Sequence, residues 1–132
     1  MSEQVFETPL REMLDELRQE RGSYSGGQPN NSSSVGLANS LTVLSGQGKC
    51  YGFTVLNTKA SSQFIQVFDA SSLPADGAVP VAVFTVAQTA NLGVSWMDVG
   101  RWFTRGIQLC NSSTSNTKTI GSADCFFDCQ YL

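Results

Sequence analysis

The last stretch of the chain, residues 110–132, constrains the fold more than any other. Its sequence, CNSSTSNTKTIGSADCFFDCQYL, reads as the end of one strand, a polar loop, a short strand over 117–120 and a final strand over 124–131. Side chains alternate between the two faces of a strand, so Cys125, Phe127, Cys129 and Tyr131 share one side. A strand with an apolar row needs partners for its backbone and a surface for that row, which means a sheet built around it. The row faces either the interior of a sandwich or a sister subunit, and alternation alone leaves both open.

From Val35 onward, short β-rich runs alternate with turn residues at close spacing. The runs fall at 40–44, 50–56, 64–69, 79–87, 92–97, 102–110, 117–120 and 124–131. The reading is an all-β domain over 35–132, about eight antiparallel strands in a sandwich or jelly roll. The polar connection at 57–62 is short enough for a hairpin between the second and third runs. The third run is apolar on both faces, with Phe64 and Phe68 on one and Ile65 and Val67 on the other. The fourth is similar, with Val81, Val83 and Thr85 opposite Ala82, Phe84 and Val86. Strands of that kind are covered on both sides, which calls for two packed sheets and for oligomer contacts beyond them.

Ahead of this domain, TPLREMLDELRQERG at 8–22 carries the punctuation of a helix: Thr8 as N-cap, Pro9 in the first turn and Gly22 past the end. Leu10, Met13, Leu14 and Leu17 form one narrow apolar stripe among charged faces. A lone helix of about 13 residues is marginal in water, so it needs a surface: its own domain, a sister subunit or another protein. Residues 1–22 are thus expected to be a helical arm, and 23–34, SYSGGQPNNSSS, a flexible linker.

Charge and residue usage remove several functions. The 132-residue chain has a net charge of -3 and no basic cluster of the kind that neutralises phosphates, so nucleic acid is not an expected partner. No run of about 18 apolar residues is present to span a bilayer, and the acidic N-terminal segment lacks an apolar signal core; assembly in a cytoplasm is expected. The chain has no histidine, which removes the Ser/His/Asp triad and the Cys/His dyad. Asp69 and Asp76 are explained by turn chemistry, and no phosphate-cradling glycine loop is present. No enzyme activity, metal or cofactor is expected. The four cysteines, Cys50, Cys110, Cys125 and Cys129, have no CxxC spacing and read as buried free thiols rather than a zinc site. Cys125 and Cys129, about 13 Å apart along one extended strand, cannot bond each other, whereas a bond from either to Cys50 or Cys110 is open.

The segment WMDVGRWFTR at 96–105 gathers two tryptophans, a phenylalanine and two arginines. Two readings compete. In one, Phe103, Ile107 and Leu109 point into the core, Arg105 caps that face, and Trp102 lies on the opposite face with Thr104 and Gln108. In the other, Trp96, Arg101, Trp102 and Arg105 form an interface, for which aromatic and arginine side chains are the usual anchors.

Taken together, the strand FIQVFDA, the loop LPADGAVP, the GRWFTRGI strand at 100–107 and the serine- and threonine-rich loop before DCFFDCQYL resemble small β-sandwich structural proteins of tailed bacteriophage virions. The likeness covers roughly residues 48–132. It implies a non-enzymatic virion protein assembled in the host cytoplasm, of the capsid decoration or cement type. Such a protein would bind the major capsid protein or another virion protein, as a homo-oligomer with a trimer favoured, and stabilise the head. In that picture Leu10, Met13, Leu14 and Leu17 form the gripping face of the arm, whose tethered contact gains from high effective concentration. The alternative is a tail- or fibre-associated protein that binds host glycan, or other virion components, through Trp96 or Trp102.

Overall fold

The computed structural model describes residues 28–132. The helix expected at 8–22, its stripe of Leu10, Met13, Leu14 and Leu17, and the linker up to residue 27 lie outside the described residues. Among the described residues all regular structure is β, in nine strands. These are β1 (Asn30–Ser33), β2 (Ser40–Leu44), β3 (Gly48–Asn57), β4 (Gln63–Asp69), β5 (Ala82–Val86), β6 (Asn91–Ser95), β7 (Arg101–Phe103), β8 (Ile107–Ser112) and β9 (Cys125–Tyr131). They form two antiparallel sheets. One, sheet A, runs β1-β9-β3-β6, with β7 pairing β3 beyond the end of β6; the other, sheet B, runs β2-β8-β4-β5.

The core lies between the sheets and is built by alternation. Phe53 and Val55 of β3 and Phe127 and Cys129 of β9 face Ile65 and Val67 of β4 and Ile107 and Leu109 of β8, all buried. Each large apolar side chain withdrawn in this way contributes about 1.5–3 kcal/mol before the entropy of ordering is counted. The row on the last strand therefore faces the sandwich interior: Cys125, Phe127 and Cys129 are fully buried and Tyr131 packs at the margin of the core. β9 is central, paired with β1 on one side and β3 on the other.

Four expectations are corrected. The run 102–110 is not one strand: β7 belongs to sheet A and β8 to sheet B, and the chain turns a corner between them. The turn is forced at Gly106, where an added Cβ would collide with Ala70 O and come within 2.6 Å of Leu44 O, and it is capped by the Asp69 carboxylate. The 57–62 connection is not a hairpin but a crossing from sheet A to sheet B. Residues 117–120 form no strand, only a single bridge from Ile120 to Ser112. Residues 30–33, placed in the linker, form β1 against β9.

The outer face of sheet B is itself covered. Gln66, Gln108, Cys110 and Ser112 point away from the core yet are buried, because the connections at 70–81 and 113–121 lie over them. Gln66 Nε2 lies 2.9 Å from Thr114 O and 3.0 Å from Thr117 O, and Lys118, buried, donates to Asp76 Oδ1 at 2.7 Å. Gln108, expected to share a face with Trp102, lies in the other sheet, where it accepts from Thr42 Oγ1 and donates to Ala70 O. The outer face of sheet A has no such cover among the described residues.

Candidate functional site

The end of sheet A where β7 and β9 flank β3 concentrates exposed apolar side chains. Lys49 pairs with Trp102 across β3 and β7, and exchanges two backbone hydrogen bonds with Leu132, at 2.8 and 2.9 Å. Directly opposed residues of an antiparallel pair share a face, so Trp102, Lys49 and Leu132 form a row on the outside of the sheet. Phe103, the next residue of β7, is buried on the inside, as alternation requires. Trp102 is 52% exposed, and the adjoining β6–β7 connection adds Met97 at 79% and Val99 at 75%.

That connection is held in an unusual conformation. The Trp96 N–H donates to Tyr51 O at 2.8 Å and the Gly100 N–H to Trp96 O at 3.1 Å, closing a tight loop over the point where β3 bulges at Tyr51. Met97 within it has φ of 58°, a left-handed conformation that costs a non-glycine residue of order 1 kcal/mol. The N–H of Met97 is tied to Ser95 Oγ at 3.1 Å, so the strain is fixed locally. Beside the loop lies an open groove of about 340 Å³, walled by Tyr51, Ser95, Met97, Asp98, Gln130 and Pro29. Pro29 immediately precedes β1 in the chain.

The four aromatic and arginine candidates divide between two settings. Trp96 turns inward and packs on Phe53 and Phe84, with ring centroids 5.8 and 6.3 Å away. The guanidinium of Arg101 stacks between Trp96 and Phe103 at 5.9 and 5.7 Å, closing the rim of the core. Arg105 sits on the exposed corner, its backbone N–H donating to Asp69 Oδ1 at 2.8 Å. Only Trp102 stands on the outer face. Sequence reading missed Lys49, Met97, Val99 and Leu132; the signal for the row is cross-strand register, which local pattern does not carry.

At the opposite end of β9 a buried polar cluster ties the β3–β4 crossing to the start of that strand. Asn57 donates to Ser61 O and Ala87 O, both at 3.0 Å, and accepts from Gln63 Nε2 at 2.8 Å. Asp124 Oδ1 accepts from Gln63 at 2.6 Å and from Asn111 at 3.1 Å. Apart from Asn111 Oδ1, which is buried without a partner, its groups are engaged with one another, which is structural work.

The cysteines occupy three separate places and do not gather as a tetrathiolate. Cys50 and Cys129 meet inside sheet A, Cys125 lies in the polar cluster, and Cys110 lies under the loops covering sheet B. All four are free thiols. Among the described residues no group of three or more Cys, Asp or Glu stands together as a metal site, and no helix is long and apolar enough to cross a membrane.

No family model matches the chain, and no curated protein matches it. Among solved structures, the coat protein of Tobacco streak virus aligns over 77% of this chain and 74% of that chain, at 9% identity and a TM-score of 0.35. PirA aligns over 80% of this chain and 87% of that chain, at 13% identity and a TM-score of 0.33. At such scores neither likeness bears on what this chain does.

Proposed function

We propose that this chain is a virion structural protein of the capsid decoration or cement type, which lays the outer face of sheet A against an assembled shell and adds its N-terminal segment as a second grip. The observation that carries the reading is the exposed row of Trp102, Lys49 and Leu132 beside Met97 and Val99, on the sheet face that nothing among the described residues covers. Apolar groups exposed together at a strained loop mark a contact surface rather than solvent-facing structure. The exposed tryptophan fits the composition of interface hot spots. The resemblance of residues 48–132 to small virion sandwiches supplies the partner class, and a symmetric oligomer, a trimer in this reading, would multiply each weak contact.

The test is sedimentation of the full chain with purified phage heads that lack it, comparing wild type with Trp102→Asp. Wild type should pellet with heads, and the variant should bind at least about tenfold more weakly while keeping its urea midpoint, because an exposed substitution shifts stability by only about 0.5 kcal/mol. Equal binding by both, or none by wild type, would sink the proposal.

A second reading is favoured by the groove itself. Tyr51, Asp98, Ser95 and Gln130 are groups of the kind that recognise sugars, and Trp102 is exposed on the same sheet, consistent with a tail- or fibre-associated protein. Glycan-array binding that disappears in Trp102→Ala, without shell binding, would favour it.

A further inference from the structure

We propose that Cys50 and Cys129 form an oxidisable cross-link site: two buried thiols on neighbouring strands of sheet A, with sulfurs 3.4 Å apart, close to a disulfide when the protein meets a hydroperoxide.

The placement comes from the bulge in β3. The regular register opposes Phe53 to Cys129 and Gly52 to Gln130; the extra residue Tyr51 then brings Cys50 opposite Tyr131. Cys50 becomes the diagonal neighbour of Cys129 on the inward face, a spacing within side-chain reach. The sulfurs are already in contact, and forming a bond of about 2.05 Å asks each to move by about 0.7 Å from its present position. The other two thiols have no sulfur neighbour. Cys110 has Gln66 Oε1 at 4.0 Å, and Cys125 faces Gln63, Asn111 and Asn57.

The two sulfurs are chemically unequal. Either thiol can donate in the contact between them; with Cys129 as donor, the bond, helped by Gly52 and Arg101, lowers the pKa of Cys50 against its burial. The same bond, together with burial, raises Cys129. Cys50, directly opposite the Arg101 cation across β3 and β7, is the first nucleophile in this scheme. Its thiolate attacks one peroxide oxygen; the S–O bond forms, the O–O bond breaks, and the leaving oxygen takes a proton to depart as water or an alcohol. Cys129 then attacks the sulfenic sulfur; the S–S bond forms, and the hydroxyl leaves with the Cys129 proton as water. Two thiols are oxidised by two electrons and one hydroperoxide is reduced. Access requires local opening at the C-terminal end of β9, where Leu132 pairs with Lys49 and Tyr131 with Cys50.

The test treats the folded full chain, purified reduced, with tert-butyl hydroperoxide, then unfolds it in iodoacetamide and weighs it. The expected result is two alkylated thiols rather than four. Chymotryptic digestion, which cuts at Phe126 and Phe127 and so separates Cys125 from Cys129, should give a peptide pair joined through Cys50 and Cys129. The urea midpoint should rise on oxidation of wild type and stay unchanged in Cys50→Ser and Cys129→Ser. Four alkylatable thiols after treatment would overturn the proposal, as would a bond to Cys110 or Cys125, a linkage between two chains, or oxidation of Cys50 that leaves Cys129 free.

Discussion

Asp69 caps the corner between the sheets with one side chain. Its oxygens accept from the backbone N–H groups of Thr104 at 3.1 Å, Arg105 at 2.8 Å and Gly106 at 3.3 Å, and from the Thr104 hydroxyl at 3.0 Å. Desolvation works to raise its pKa, yet these bonds together outweigh it and hold the carboxyl below the usual carboxylate range. The unfolded chain therefore binds this proton more readily than the folded one. The stabilisation is complete above the ordinary carboxylate pKa of about 4 and is lost as pH falls through the lower folded value. Asp69→Ala should cost about 1 kcal/mol at neutral pH, solvent screening included, and should flatten part of the acid limb of stability; urea denaturation at pH 7 and pH 3 measures both. The sequence marked Asp69 as the end of a strand. What it caps lies 35 residues further on, and no local pattern reports a contact of that span. Trp102 and Phe103 were legible for the opposite reason, since alternation within one strand is local.

Elements were read best where strand chemistry is strong. β-Branched and aromatic residues announced β3, β4, β5 and β8, whereas β1, Asn-Asn-Ser-Ser, has little β-propensity and exists because β9 offers it an edge. Sheet membership was not legible either, because a short polar connection serves a hairpin or a crossing equally well. The cover over sheet B is held chiefly by Gln66, whose amide reaches carbonyls of Thr114, Ser115 and Thr117. Gln66→Leu keeps the volume and removes all three bonds, leaving Ser115 O without its donor while Thr114 O and Thr117 O keep theirs from Ser112 and Thr114, so it should cost about 1–3 kcal/mol and speed amide hydrogen exchange in 113–119 while β3 and β9 stay protected. Exchange that rises uniformly across the sandwich would show that the cover has no stability of its own to lose. The same cover buries the Cys110 thiol and pushes its pKa up to about 12, so alkylation at pH 8 should find Cys110 inert in wild type and reactive in the variant.

At the scale of the whole molecule, the core of the described residues is built by β1–β9 alone, so removing residues 1–21 is expected to leave one cooperative unfolding transition with its midpoint unchanged, while shell binding weakens. A broadened or shifted transition on differential scanning calorimetry would show that those residues belong to the core. The position of β9 also sets an order of events. It is the ninth strand to be synthesised, yet it lies between the first and the third. Until residues up to Tyr131 have left the ribosome, β3 has an open edge and the inward faces of Phe53 and Val55 lack their cover. A nascent chain of this topology cannot close sheet A until β9 has emerged, because β3 has no partner on that side before then.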